Sequence, residues 1–324
     1  MEKTKGLIVA YILDGKGGGE KIDWEGVNGW TPEDGLLWIH LDYTDTRVHQ
    51  WIQEQSGLDA IVGEALLAEE TRPRSIPMSN GLLAILRGIN MNPGANPEDM
   101  VSIRIWLDKN RIITTRKRRL LSIDDIRAAV ENHTGPKSMG EFVVDLTSYL
   151  ISRMADVIDA IDETVSNLEE QVIFAESHEL RSKLAAIRRE AILLRRYLAP
   201  QREAISRLIN ERVAWLDETD RMRLREVADR TTRYIEDLDS SRERAAVTQE
   251  ELMGRLSEQL DRRMYILSLV AAVFLPLGFL TGLLGVNVGG IPGANYQWGF
   301  ALVCVILIAI GITQTYFLKK KRWM

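Results

Sequence analysis

MYILSLVAAVFLPLGFLTGLLGV, residues 264–286, and WGFALVCVILIAIGITQTYFL, residues 298–318, decide the fold. Neither run contains Asp, Glu, Lys, Arg or His, and their 23 and 21 residues match the roughly 20 a helix needs to cross the hydrocarbon of a bilayer. Both are expected to span a membrane as a hairpin, with Pro276 tolerated because local adjustment or a neighbouring helix satisfies the freed carbonyl. Arg262 and Arg263 precede the first run, and Lys319, Lys320, Lys321 and Arg322 follow the second, while the connection NVGGIPGANYQ carries no charge. The bias of basic residues toward the inside then puts both termini in the cytoplasm, at a bacterial inner membrane. Tyr296, Trp298, Tyr316 and Trp323 fall near the expected interfaces, where amphipathic rings are favoured.

The charge sits elsewhere. All 46 acidic residues and 37 of the 41 basic ones precede Met264, so residues 1–263 carry a net charge of −9. An acidic soluble part speaks against nucleic-acid binding, which needs a basic face, and suits a protein that handles cations. The single cysteine, Cys304, lies in an apolar run, which rules out an intrachain disulfide and a thiolate zinc cluster. The N-terminal sequence MEKTKGLIVAYILDGKGGGE has too short an apolar stretch for a signal peptide, so residues 1–263 are expected to stay cytoplasmic.

The expected fold class is α+β. A cytoplasmic mixed α/β domain occupies 1–138, a helical hairpin 139–218, a stalk helix 219–263 and a first transmembrane helix 264–286. A periplasmic loop over 287–297, a second transmembrane helix over 298–318 and a basic tail over 319–324 complete it. Short β-rich runs stand at 6–13, 36–43, 82–90, 101–107 and 111–115, with helical patterns at 47–67 and 123–132. Residues 15–19 are glycine-rich but lack the spacing of a phosphate loop and read as a turn. Long helices are expected at 141–173 and at 178–216, the latter kinked at Pro200. One unbroken helix from Thr219 to Leu284 would follow, roughly 100 Å long.

The stalk has an imperfect heptad. Leu224, Thr231, Leu238, Ala245 and Leu252 form one row, and Ala228, Ile235, Arg242, Gln249 and Leu256 the other. Thr231, Arg242 and Gln249 do not suit a dry dimer seam. A wider bundle around a wet axis is expected, against the plainer reading of a helix packed on its own domain.

A two-helix hairpin encloses nothing, so conduction would require several copies. Carried into the first span, the stalk row continues as Met264, Leu267, Ala271, Leu275, Gly278 and Gly282, the expected pore lining. Gly278 and Gly282 form a G-x-x-x-G that lets helix backbones approach closely, which would set a narrow neck beside Asn287. Without a carboxylate in the stripe, a divalent ion would keep much of its water, and large apolar side chains could close the path by dewetting.

Gly285-Val286-Asn287 ends the first span, Phe274-Leu275-Pro276-Leu277 lies within it, and Glu69-Glu70-Thr71-Arg72-Pro73-Arg74 precedes a strand. With the two C-terminal spans and the long helix before them, these residues resemble the CorA metal-ion transporter superfamily over essentially the whole chain. The resemblance implies a homopentamer in the lipid bilayer, with selection at a ring of Asn287 and Gly285 permitting the turn. Magnesium-type members usually carry Met within the triplet and an acid in the following loop. Val286 stands here instead, and the residues after Asn287 contain no acid. That pattern is similar to the ZntB branch and implies Zn2+ as the transported ion. Mg2+, Co2+ or Ni2+ is the alternative within the superfamily, and a membrane-anchored coiled-coil signalling protein is the alternative from another class.

The residues themselves do not reach zinc, because no His lies in either span and Cys304 reads as helix core. His40, His49, His133 and His178 are scattered and read as ordinary polar residues. Asp156, Asp159, Asp162 and Glu163 recur at i, i+3 and i+4 on one helix face, extended by Glu169 and Glu170. They read as a cation-attracting face between subunits or, more plainly, as a solvated surface. No nucleophile, acid–base pair or cofactor constellation is legible, so neither enzymatic activity nor a resident cofactor is expected.

Overall fold

A computed structural model describes residues 6–174, 178–285 and 297–320. The chain divides into two compact units, 1–249 and 250–324, and one long helix contributes residues to both.

The first unit is built on a seven-stranded sheet, β1 (Leu7–Leu13), β2 (Gly19–Lys21), β3 (Leu36–Asp42), β4 (Arg74–Met78), β5 (Gly81–Gly88), β6 (Val101–Leu107) and β7 (Arg111–Arg116). The strand order is β2-β1-β3-β7-β6-β5-β4, and every pairing is antiparallel except β3 with β7. The central strands read as nearly continuous apolar runs because helices cover both faces. On one face Leu37, Ile39 and Leu41 of β3 pack with Trp24, Val27, Val48, Trp51, Ile52, Val62 and Leu66 from α1 (Trp24–Gly29), α2 (Thr46–Gln50), α3 (Ala60–Leu67) and the π-helical turn between the last two. On the other, Trp38 stacks on Tyr11 and meets Phe142 edge-on at 5.1 Å between ring centroids. The Tyr11 hydroxyl donates to Glu131 at 2.8 Å. Those partners belong to α4 (Leu121–Glu131) and α5 (Met139–Ser152).

Several sequence expectations are corrected here. Strands β2 and β4 and helix α1 are too short to give a period. The helical pattern at 47–67 is interrupted: the Ser56 amide bonds five residues back to Trp51, Gly57 takes a φ of +67°, and Asp59 caps α3 by accepting from the Ile61 amide. The single helix expected over 141–173 is two, α5 and α6 (Ala155–Phe174). Between them Arg153 forks onto Asp125 of α4 at 2.6 and 2.7 Å, and Met154 is buried. Helix α7 (His178–Asn210) contains Pro200 and stops short of the expected 216. The carbonyls of Ile209 in its last turn and of Glu211 just beyond it are taken by the Arg221 guanidinium. The glycine-rich loop turns β1 into β2, with Asp14 accepting from the amides of Lys16 and Gly18.

Helix α8 (Glu218–Leu284) is unbroken as expected, and Asp217 opens it by accepting from the Asp220 amide at 2.8 Å. The stalk row does not face a wet axis. Leu224, Thr231, Leu238 and Ala245 are buried inside the chain's own first unit, where salt bridges tie α8 to Asp145 of α5, Asp162 and Glu169 of α6, and Arg195 of α7. Thr231 fits in this row because its hydroxyl returns to the Val227 carbonyl, and Thr248, buried beside the row, does the same to that of Arg244.

Candidate functional site

In the second unit α8 and α9 (Gly299–Lys320) carry windows with mean hydropathy 2.3 and 2.2 that the chain itself leaves uncovered. On α8 the better-covered positions are Leu269, Val273, Pro276, Leu277 and Leu280; on α9 they are Val303, Cys304, Leu307, Ile310, Gly311, Gln314 and Leu318. These are the facing sides of the hairpin, and a gap between them is lined by Phe274, Leu277, Gly278, Thr281, Leu307, Ile308 and Gly311. Apart from Gly278, which borders that gap, the expected pore stripe lies elsewhere. Met264, Leu267, Ala271, Leu275, Gly278 and Gly282 are all exposed, Leu275 at 71%. At about 100° per residue, the stripe and the α9-facing set centre on opposite sides of the helix.

The polar side chains of these helices mostly turn inward to their own backbone, as hydrocarbon demands. Thr281, Thr313 and Thr315 donate to the carbonyls of Gly278, Ala309 and Gly311. Gly285 closes the last turn of α8 by donating to the Thr281 carbonyl at 2.9 Å. Val286 and Asn287, the remaining members of the expected selectivity triplet, lie outside the described residues.

The acidic helix face is assembled on α6. Asp156, Asp159, Asp162 and Glu163 are exposed, on the side away from buried Ile158, Ile161, Val165 and Leu168. Spacing alone could not reveal that Arg244 of α8 engages part of it. Its Nη1 donates to Asp162 at 2.6 Å, its Nε and Nη2 to Glu169 at 3.0 and 2.6 Å, and Nη2 also to Ser166. The hydrogen bond it donates to Glu169 is the first cause raising the arginine's pKa. Asp156, Asp159 and Glu163 make no ion pair among the described residues. Near them the Asp237 carboxyl on α8 is pushed up, first by burial and then by the charges of Asp162, Glu236 and Asp159. Negative charge on this surface is therefore incompletely compensated.

Among the described residues no three His, Cys, Asp or Glu side chains converge as a metal site. His40 and His49 are engaged with Thr114 and with the Tyr43 carbonyl. Cys304 is half-buried on the α9 face that meets α8.

Comparison with known proteins matches residues 33–320 to the family described as CorA-like Mg2+ transporter protein. The zinc transport protein ZntB of Yersinia pseudotuberculosis is 37% identical over 317 residues, covering 98% of this chain and 96% of that one. The divalent cation transporter CmaX of Pseudomonas aeruginosa is 39% identical over 330 residues, covering 99% and 97%. The structure of full-length CmaX superposes with a TM-score of 0.86 at 38% identity and covers 98% of both chains. With the α/β unit, the long helix and the two apolar C-terminal helices in place, the chain belongs to the CorA-like family of transporters.

Proposed function

We propose that five copies of this chain form a homopentamer that carries divalent metal cations, Zn2+ foremost, across the inner membrane. The first transmembrane helix lines the path, Gly285, Val286 and Asn287 form the selectivity site at its outer mouth, and both termini are cytoplasmic. The carrying observation is the exposed stripe on α8, centred opposite the face that α9 occupies. A membrane helix packed through one side only, with small residues Ala271, Gly278 and Gly282 on the other, suits close approach of further copies. The relatives named for zinc and divalent-cation transport, aligned over nearly their whole length, supply the cargo class.

In this reading the ion passes largely hydrated, since the stripe offers no carboxylate, imidazole or thiolate. Asn287 amides order the water shell at the mouth, and Leu267 and Leu275 form the apolar constriction. The acidic surface around Asp156, Asp159 and Glu163 raises the local cation concentration on the cytoplasmic side. The domain limits at 138, 218 and 263 follow from this organisation.

Reconstituted protein in sealed liposomes tests it, with Zn2+ and Mg2+ supplied singly and in competition, with and without a pH gradient. Zn2+ flux that Mg2+ fails to suppress supports the zinc reading, whereas flux of Mg2+ alone moves the cargo to the magnesium side of the family. A particle that is monomeric in detergent and moves neither ion overturns the proposal and favours a signalling anchor.

A further inference from the structure

Two arginines on neighbouring strands, Arg104 buried and Arg87 half-buried, have no carboxylate partner among the described residues. Arg87 of β5 pairs in register with Ser102 of β6, two residues before Arg104, so both arginines stand on the same sheet face. Arg104 is 1% exposed; one nitrogen, Nη2, serves the carbonyls of Ala68 and Glu69 and the Tyr43 hydroxyl, while Nε and Nη1 have no partner. Arg87 donates to the carbonyls of Met100 and Thr71 at 2.8 and 2.7 Å and lies 4.1 Å from the centre of the Tyr197 ring, with its Nε unpartnered. A fully desolvated guanidinium and a partly desolvated one, both met only by neutral groups, are costly unless an anion joins them.

A cleft of 390 Å3 opens at this place. Arg87 lines it, as do Tyr43 and Glu69, which Arg104 contacts, and α7 contributes Tyr197. Its rim is of mixed sign, with Lys117 and Arg118 set against Glu70, Glu98 and Asp99. Lys117 approaches Glu69 only loosely, at 3.5 Å. A bare anion would meet the carboxylates and a bare cation the arginines, so the lining fits a ligand that carries both signs. Three of the carbonyls that the two arginines hold belong to residues 68, 69 and 71, so the loop bearing Glu69 and Glu70 is fixed before anything binds.

We propose that this cleft binds a diphosphate group chelated to a divalent cation. The phosphate oxygens take the guanidinium and ammonium donors, for which their geometry is suited, and the rim carboxylates hold the cation through its water shell. The volume sits at the lower end of small-molecule sites, which favours a compact phosphate compound over a dinucleotide. Glu190 of α7, raised by burial and by the charge of Glu98, adds negative charge that a cation would relieve.

Equilibrium dialysis of radiolabelled pyrophosphate against the full-length protein in detergent tests this, with Mg2+ or with EDTA. The label follows the anion, so cation binding in the membrane part does not register, and the result stands apart from any transport assay. Saturable binding that needs Mg2+ is expected. It should weaken roughly tenfold in Lys117→Ala/Arg118→Ala and in Glu98→Gln/Asp99→Asn, about one charge-assisted contact each. Both variants alter side chains at the cleft rim, and unchanged thermal midpoints verify that they fold. Absence of saturable binding with Mg2+, equal binding in EDTA, or wild-type affinity in both variants would overturn the proposal.

Discussion

Arg244 on α8 grips Glu169 on α6 through two parallel hydrogen bonds, Nε to Oε1 at 3.0 Å and Nη2 to Oε2 at 2.6 Å, across 75 residues of sequence. Asp162 receives one bond from the same guanidinium and keeps 52% of its side chain exposed. The fork is geometrically specific but one-third open to solvent, so Arg244→Met should cost roughly 1 kcal/mol, the upper end for such pairs. Glu169→Gln should cost more than Asp162→Asn, because two charge-assisted bonds to the guanidinium weaken instead of one, and the Ser241 hydroxyl that also donates to Asp162 is neutral and longer, at 3.3 Å. Denaturant unfolding of the detergent-solubilised protein measures all three, and a larger loss from Asp162→Asn would contradict this ranking.

The same pair illustrates what the sequence could carry. Spacing of i, i+3 and i+4 places Asp156, Asp159, Asp162 and Glu163 on one face of a helix, because that is a local property. It says nothing of Arg244, 82 residues from Asp162. The hairpin and α8 were legible because long uncharged runs, and a stretch from 219 to 253 without Gly or Pro, are one-dimensional signals. The burial of Leu224, Thr231 and Leu238 against the chain's own helices was not, since a 3.5-residue row suits a neighbouring subunit and a neighbouring domain equally. Arg87 and Arg104 did leave a trace, as charges inside otherwise apolar β-runs, but their meaning depends on a loop carbonyl set that only the fold assembles.

His40 should make the protein sensitive to mild acid. The Thr114 hydroxyl donates to the Ile39 carbonyl, so at its 2.8 Å contact with His40 Nδ1 the ring must be the donor. Nε2 is then a buried acceptor without a partner among the described residues, and protonating it would add a buried N–H as well as a charge. Burial first, and then the nearby Arg116 charge, hold this imidazole well below its usual 6.5. The unfolded chain therefore binds the extra proton more readily. Stability is fully present above 6.5 and falls as the pH drops below it, with a slope of at most about 1.4 kcal/mol per pH unit. His40→Gln should flatten that dependence, and an unchanged slope would assign the acid response to other groups.

Gly140, in the first turn of α5, leaves room for a carboxylate. A Cβ there would collide with Asp220 Oδ2 and lie 2.8 Å from the Trp215 carbonyl. Asp220 is 4% exposed and sits in the first turn of α8, so neither side can give way cheaply. Gly140→Ala should lose about 1–3 kcal/mol despite the better helix propensity of alanine. Thermal unfolding checks the sign, and a gain in stability would mean that the α5 and α8 starts can separate.

Enlarging the α8 stripe should block flux where an equal enlargement to one side does not. Leu275 is 71% exposed and Gly278 is one turn further along the stripe, while Val270, also exposed at 47%, lies about 100° around the helix from the stripe centre. If the stripe faces a shared axis, each substitution acts in every subunit of the ring at once, and a few added side-chain atoms per copy close a path only wide enough for a partly hydrated ion. Gly278→Val and Leu275→Trp should therefore cut metal uptake into liposomes by roughly tenfold or more, equivalent to about 1.4 kcal/mol on the barrier. Val270→Phe should leave uptake within a factor of about two, since lateral packing changes the barrier by fractions of a kcal/mol. Comparable losses from all three would place the ion path away from this face of α8, because a single-sided lining cannot respond equally to changes a quarter-turn apart.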